Sequence, residues 1–116
     1  MRTKGITPQE FVVKLLKRST CSVQVAACLS DKRGIFAWGR NHEGDGYGEH
    51  AEVNCLKRAN PKRLAGSTCW VAARRKKSKG LVLARPCAAC WPLVKQCCYV
   101  VYRDKTGVWK VEDLRP

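Results

Sequence analysis

The stretch CYVVYRDKTGVWKVEDL, residues 98–114, decides how the C-terminal part of the chain folds. Two runs rich in β-branched and aromatic residues, CYVVYRD and VWKVEDL, are separated only by KTG, and this composition is typical of β-strands. Strands joined by so few residues must be antiparallel, because a parallel pair needs a crossover of about a dozen residues or more. The sequence therefore predicts an antiparallel hairpin here.

Upstream of this hairpin, helical and strand patterns alternate. TPQEFVVKLLKRS predicts a helix over residues 8–18, because Thr7, Pro8 and Glu10 form an N-terminal capping pattern. TCSVQVAACLS and IFAWGRN, on either side of the turn DKRG, predict a hairpin, and STCWVAAR predicts a third strand. Further helices are predicted over residues 50–59 and from the proline of PCAACWPLVKQ, with LVLAR as a strand extension.

The order helix, hairpin, helix, strand, helix, hairpin predicts an α/β fold. A single mixed five-stranded sheet with flanking helices, in an α-β-α layered arrangement, satisfies this order. No repeat, linker or low-complexity segment divides the sequence, so residues 1–116 are expected to form one domain.

The charge balance indicates what kind of partner the chain binds. Lys and Arg number 23 against 9 Asp and Glu, a formal net charge of +14, and so one-sided a field attracts anions. A phosphate-bearing partner follows, although cations used only for solubility would give the same count. No apolar run approaches the roughly 18 residues of a membrane span, and no secretory signal pattern is present. A cytoplasmic protein without a membrane partner is expected.

Eight cysteines raise the question of what the thiols do. In a reducing compartment, metal binding or core packing is favoured over disulfides. Cys87 and Cys90 are spaced so that two thiolates can reach one metal, although a redox pair uses the same spacing. With His50 as a third ligand the set suits zinc, and its fourth position would be open as in catalytic sites. The thiols among apolar neighbours are interpreted as core residues rather than a second metal site: Cys21, Cys28, Cys55 and Cys69.

The motif pair HAE at residues 50–52 and PCAAC at residues 86–90 resembles the H-x-E…P-C-x-x-C signature of zinc-dependent nucleobase deaminases. The resemblance spans about residues 20–114 and implies a cytidine deaminase-like fold. In this chemistry zinc activates water for attack on the amino-bearing ring carbon, and a carboxyl moves protons to the ring nitrogen and the leaving ammonia. The residues that the resemblance assigns are the zinc ligands His50, Cys87 and Cys90 and the catalytic Glu52.

The loop before the HAE motif carries weaker resemblances. Asn41 resembles an asparagine with which many deaminases contact the sugar or base, and Asn41 with Glu43 is similar to the Asn-x-Glu that holds the ribose in free-cytidine deaminases. A turn that uses Asn and Gly for their backbone freedom is the alternative. The substrate-binding set is completed by Tyr47 as a stacking or core-covering ring, Ala51 of the HAE motif, and Trp91 at the pocket mouth.

The basic run ARRKKSKG precedes the segment that leads into the cysteine motif. It is predicted to emerge at the active-site edge of the sheet as a phosphate-binding rim, and a solvated loop is the alternative. The predicted rim consists of Arg74, Arg75, Lys76, Lys77, Lys79 and Arg85.

The short final turn is similar to the branch that contains free-cytidine, blasticidin-type and several polynucleotide deaminases, which favours cytosine over adenine. Asn41 and Glu43 favour a free nucleoside, whereas the charge favours a cytosine-containing nucleotide or single-stranded nucleic acid, and the charge decides the prediction. At the end of the PCAAC motif, CWPLV at residues 90–94 departs from the Arg-Gln that commonly follows it in free-cytidine deaminases. Two alternative functions stay open. One is a free cytidine or deoxycytidine deaminase, and the other is a non-catalytic, zinc-stabilised nucleic-acid-binding module. Small deaminases of similar build assemble through their helices, so a homo-oligomer is also left open.

Overall fold

The computed structural model of the protein describes residues 6–43 and 48–116. The helices and strands follow in chain order: α1 Pro8–Leu15, β1 Val23–Asp31, β2 Gly34–Arg40, β3 His42–Glu43, β4 Gly48–Glu49, α2 Ala51–Arg58, β5 Thr68–Arg75, α3 Trp91–Val94, β6 Tyr99–Arg103 and β7 Trp109–Asp113. Two short 3₁₀ helices, Leu16–Arg18 and Pro61–Gly66, follow α1 and α2.

The main sheet has five strands in the order β2-β1-β5-β6-β7. β1 is antiparallel to both β2 and β5, β5 is parallel to β6, and β6 is antiparallel to β7. Asp104 closes the β6–β7 turn, because its Oδ1 accepts hydrogen bonds from the N–H groups of Thr106 and Val108. Gly107 takes a φ of 92° in this turn, a value that glycine adopts without strain. The predicted mixed sheet with a terminal antiparallel hairpin is confirmed.

Helices cover both faces of the sheet. α1 packs on one face, where Val12 is fully buried against Ala26 and Ala72. α2 packs on the other face, where Cys55 is fully buried in the larger core cluster. Because side chains alternate along a strand, even-numbered residues of β1 and β5 face α1 and odd-numbered ones face α2. No described helix is long and apolar enough to cross a membrane.

Most of the thiols interpreted as core residues are indeed in the core. Cys28 and Cys69 are fully buried in addition to Cys55, whereas Cys21 is partly exposed. None of the cysteines in the described residues forms a disulfide.

The segment LVLAR, residues 81–85, does not extend a strand as predicted. Within the described part of the chain its ladder contact is a single bridge between Leu81 and Arg74. The segment then crosses the end of the sheet, where the Ala84 N–H donates to the carbonyl of Arg103 at 3.0 Å. Val82 and Ala84 pack into the larger core cluster, whereas Leu81 and Leu83 are exposed.

The third helix begins later than predicted. It starts at Trp91, with Pro92 in its first turn, and not at the proline of PCAAC. Cys87 and Cys90 therefore lie in a turn before the helix, where the N–H groups of Cys90 and Trp91 donate to the carbonyl of Cys87 at 3.0 and 2.9 Å. Proline is favoured in the first turn of a helix, and the sequence offers two such prolines within a few residues.

An ion pair anchors the β1–β2 turn to the segment after α2. Arg63 donates to both carboxylate oxygens of Asp31 at 2.7 Å, and this contact lowers the pKa of Asp31 from 3.8 to about 2. The stabilisation is therefore present above about pH 4 and is lost as the pH falls toward 2. We expect Asp31→Asn to lower the melting temperature at about pH 7, and the difference from the wild type to shrink through this acidic window, as followed by circular dichroism.

Asp113→Asn is the matched control for this prediction. Arg115 contacts Asp113 at 2.7 Å, but both side chains are at least half exposed, and such surface pairs contribute little. Equal destabilisation at both positions, or an Asp31→Asn effect that does not change with pH, would contradict the prediction.

Candidate active site

The start of α2 places a histidine and a carboxylate at one end of the sheet. His50 is the N-cap residue of α2, and Glu52 lies in its first turn. The His50 side chain makes no capping hydrogen bond. Its imidazole instead faces the turn that carries the two motif cysteines.

Cys87 and Cys90 meet the imidazole from the turn before α3. Nδ1 of His50 lies 3.1 Å from Sγ of Cys90 and 3.4 Å from Sγ of Cys87. All three ligand atoms lie within 4.8 Å of one another. Zn–N and Zn–S bonds of about 2.1 and 2.3 Å in a tetrahedral site separate such atoms by about 3.6 Å. One nitrogen and two sulfurs at these distances fit zinc. Within residues 6–43 and 48–116, this is the one cluster of His, Cys, Asp and Glu side chains whose spacing could hold a metal ion.

Glu52 lies beside the ligand cluster without belonging to it. It shares a pocket with His50 and Cys87, and only 5% of its surface is exposed. Burial raises the pKa of the Glu52 carboxyl, while its own backbone N–H, the His50 ring and the Cys90 thiol act in the opposite direction. A carboxyl whose pKa is raised can both accept and release a proton closer to physiological pH.

The Cys90 thiol is tuned mainly by burial. Burial raises the pKa of Cys90, and the neighbouring Glu52 carboxylate and Cys87 thiol add to this effect. Because the thiolate is the ligand form, zinc binding at Cys90 would release the proton that this raised pKa favours.

The cluster opens into a pocket of about 250 Å³. This volume lies just below the roughly 300 Å³ at which pockets for drug-sized ligands begin, so it suits a single base better than a larger group. Apolar side chains from β1, the end of β5 and the segment before the cysteine motif form most of its wall: Val23, Val25, Ala73, Val82, Leu83 and Ala84.

Asn41 lines the pocket, but its amide also holds the strands together. Its Oδ1 accepts hydrogen bonds from the Ser19 hydroxyl at 2.6 Å and the Val25 N–H at 2.9 Å. Its Nδ2 donates to the carbonyl of Val23 at 2.9 Å. The structure thus gives Asn41 a role in extending the β1–β2 pairing, and its contact with substrate stays a prediction.

The other predicted substrate residues lie at different distances from the pocket. Ala51 is fully buried and lines the pocket beside the Glu52 carboxyl. The backbone of Glu43 pairs with Gly48 between β3 and β4. Tyr47 lies outside the described residues. Trp91 is not among the residues that line the pocket, although its ring lies against Arg85, which does line it.

Arg85 is held in place from two sides. Its guanidinium lies 4.4 Å from the centre of the Trp91 ring. It also donates two hydrogen bonds to the Glu112 carboxylate, at 2.6 and 3.1 Å. β7 brings Glu112 to Arg85 from 27 residues further along the chain, so no local pattern in the sequence predicts this contact.

The rest of the predicted basic rim is divided by the sheet. Arg74 faces the α1 side, where its Nε donates to Gln24 at 2.8 Å, so it lies on the opposite face from the pocket. The other four predicted rim cations are not among the residues that line the pocket, although Ala73, near the end of β5, is. They are exposed: Arg75 at the end of β5, and Lys76, Lys77 and Lys79 in the turn that follows. Their contact with phosphate stays a prediction.

Gly39 sets the distance between β2 and α2, the helix that positions the site. A Cβ at Gly39 would lie 2.5 Å from the backbone nitrogen of Cys55 and 2.7 Å from Oδ1 of Asn54. We expect Gly39→Ala to displace α2, which carries His50 and Glu52, and to destabilise the fold by about 1–3 kcal/mol. Urea denaturation and zinc titration of the variant measure both effects.

Gly66→Ala is the control for this glycine. An added Cβ there meets nothing within 4 Å, so its stability should stay close to that of the wild type. Unchanged stability and zinc affinity in Gly39→Ala would show that the position of α2 does not depend on its close approach to β2 at Gly39.

Comparison with known proteins agrees with this geometry. The family described as cytidine and deoxycytidylate deaminase zinc-binding region matches residues 9–103. The fold is similar to a solved cytidine deaminase from Burkholderia pseudomallei, with a TM-score of 0.72 and 21% identity over 92% of this chain and 90% of that chain. No curated protein sequence matches the chain significantly. The matched family region is defined by zinc binding, and the His50, Cys87 and Cys90 cluster is compatible with that cofactor. The chain belongs to the family of zinc-dependent cytidine and deoxycytidylate deaminases.

Proposed function

We propose that the protein is a hydrolytic deaminase that converts cytosine to uracil and releases ammonia. In this proposal His50, Cys87 and Cys90 hold the zinc and Glu52 is the catalytic residue. The observation that supports it most is the meeting of three ligand atoms and one buried carboxyl in a pocket of base size. When bound, zinc supplies a Lewis acid that makes water a nucleophile near neutral pH.

Glu52 carries out the proton transfers. Its carboxylate accepts a proton from the attacking water, passes it to the ring nitrogen N3, and then delivers a second proton to the amino group that leaves C4. Cytosine and water become uracil and ammonia, with no net change in protons. Because Glu52 is buried, its proton passes to the bound base rather than to bulk water.

A zinc-stabilised module without catalysis would have no use for Glu52. Structural zinc sites are closed by four side-chain ligands, whereas the cluster in the described residues supplies three. Burying a carboxyl beside such a site costs desolvation energy, and a purely structural role offers no interaction that offsets this cost. The arrangement therefore supports catalysis.

We further propose a phosphate-bearing cytosine, in a nucleotide or in single-stranded DNA or RNA, as the preferred substrate. The formal charge is +14, and the exposed basic turn follows β5, whose Ala73 lines the pocket. Arg85 also lines the pocket, although its guanidinium bonds the Glu112 carboxylate. The free-nucleoside alternative depends on Asn41 and Glu43. It loses support because the Asn41 amide already bonds to Val23 and Val25 of β1.

A panel of four substrates tests both parts of the proposal. The zinc-loaded protein is incubated with cytidine, dCMP, single-stranded DNA and RNA, and uracil is quantified. We expect the highest kcat/KM on a phosphate-bearing substrate, and turnover of a polynucleotide should fall steeply with salt. Activity confined to cytidine would contradict the substrate preference, and no uracil from any of the four would contradict the deaminase itself.

A further inference from the structure

A second pocket, of about 140 Å³, lies at the β2 edge of the sheet, outside the active site. We name it the β2-edge pocket. Arginines from three different elements line it: Arg18 from the 3₁₀ helix after α1, Arg40 from the end of β2, and Arg58 from the end of α2. Arg18 and Arg58 are exposed and Arg40 is half-buried, so all three reach solvent at one place.

The arginines of the β2-edge pocket lack acidic partners. Within residues 6–43 and 48–116, none of the three forms an ion pair, whereas Arg63, Arg85 and Arg115 each bind a carboxylate. Three unpaired cations around a small pocket repel one another, and an anion placed between them removes that repulsion. The pocket therefore favours an anionic group such as phosphate.

Trp38 gives the β2-edge pocket an aromatic wall. Its side chain is 46% exposed although it is large and apolar. The ring packs edge-on against Phe11, with the centroids 5.6 Å apart and the planes at 70°. This contact fixes the indole while nearly half of it stays open. A fixed, exposed ring beside arginines is the combination on which single-stranded nucleic acids stack a base and place the adjacent phosphates.

The β2-edge pocket is connected to the active site through α2. Asn54 lines the pocket, and its N–H donates to the carbonyl of His50 at 2.9 Å. α2 has 8 residues, so at about 1.5 Å per residue Arg58 lies about 12 Å along the helix from the ligand end. A strand with one base in the active site can therefore reach the pocket with a nearby nucleotide.

A second copy of the chain is a poor occupant for this edge. In a two-fold dimer each patch meets its own copy, so the unpaired arginines of one protomer would face those of the other. The charge favours a polyanion over self-association.

We propose that the β2-edge pocket binds single-stranded nucleic acid, with a base stacked on Trp38 and a phosphate held by Arg18, Arg40 and Arg58. This deepens the proposed function and rests on it, since it names a polynucleotide as the substrate class. It also predicts that affinity for the strand depends on residues outside the catalytic pocket.

The test uses fluorescein-labelled oligothymidylate, which contains no cytosine and so is not turned over. Its binding to the zinc-loaded full chain is measured by fluorescence anisotropy at two salt concentrations. We expect Arg58→Glu and Trp38→Ala each to weaken binding by about 10-fold or more. The loss in Trp38→Ala should persist at the higher salt, because stacking is not screened as charge is.

Arg33→Glu provides the matched control. It makes the same charge change on an exposed arginine beside the β1–β2 turn, at the opposite end of β2 from Arg40. Its effect should stay below about threefold, since only the overall field changes. Trp38→Phe should restore binding lost in Trp38→Ala, which separates stacking from misfolding.

Three results would overturn the β2-edge site. They are a loss in Arg33→Glu equal to that in Arg58→Glu, unchanged binding in Trp38→Ala, and displacement of the probe by polyglutamate as readily as by unlabelled oligothymidylate. The last would identify an acidic polypeptide as the partner. Deamination of cytidine, dCMP and cytosine-containing single-stranded DNA and RNA is measured on the same wild-type preparation. Strand binding that depends on Trp38 without any deamination would support the site and contradict the proposed function.

Discussion

Glu52→Gln is expected to lower kcat for cytosine deamination by about a hundredfold to ten-thousandfold, the range that general acid–base groups contribute. Glutamine has the same shape as glutamate and suits a position that is only 5% exposed, but it cannot take up or release the transferred proton. The substitution does not touch the ligand atoms of His50, Cys87 or Cys90, so zinc should stay bound. Steady-state uracil formation and elemental analysis of the purified variant measure the two effects.

The Glu52→Gln experiment needs a carboxylate control away from the site. Asp113→Asn removes a negative charge from an exposed position on β7 and should leave kcat unchanged. Near-normal turnover by Glu52→Gln, or a loss of turnover explained by loss of zinc, would contradict the proton-transfer role of Glu52.

Cys90→Ala is expected to lower zinc affinity by more than the 10–100-fold typical of losing a group that only hydrogen-bonds a ligand, because it removes a ligand atom itself. Sγ of Cys90 lies 3.1 Å from Nδ1 of His50. Zinc at about a hundredfold excess over its Kd should stabilise the wild type by about 2.7 kcal/mol, and this stabilisation should be absent from Cys90→Ala. Thermal unfolding with and without zinc gives the comparison.

Cys55→Ala is the matched control for the ligand. Both thiols are fully buried, and burial raises the pKa of each, so neither exposure nor the direction of the pKa shift distinguishes Cys90 from Cys55. Only Cys90 belongs to the cluster with His50 and Cys87. Zinc retained by Cys90→Ala, or lost by Cys55→Ala, would contradict the assigned ligand set.

Local signals predicted the parts of the fold that local interactions determine. The capping pattern at Thr7 and Glu10 is realised in both directions, since each residue's side chain bonds the other's backbone N–H. The short connection KTG, residues 105–107, was enough to predict the direction of the last strand pair. The apolar run LVLAR could not be assigned in the same way, because a strand and a pocket wall have the same composition and only packing against the sheet end separates them.

The site shows the same division between local and long-range information. The HAE and PCAAC spacings pointed to the zinc cluster, whereas the face on which a basic residue lies depends on strand register. Arg74 and Arg75 are neighbours in sequence, yet alternation sends Arg74 to the α1 side. The arginines of the β2-edge pocket are separated by about 20 residues each, and no spacing in the sequence predicts their meeting.

The most direct test of the central claim is deamination in isotopically labelled water. Zinc-loaded protein is incubated with dCMP in water enriched in heavy oxygen, and product mass and ammonia are measured together. We expect one uracil-bearing product per ammonia, with a single solvent oxygen on the ring, no product from chelator-treated protein, and a rate from Glu52→Gln lower by about a hundredfold or more. A folded, zinc-bound protein that forms neither uracil nor ammonia from dCMP, cytidine or a cytosine-containing strand would contradict the claim.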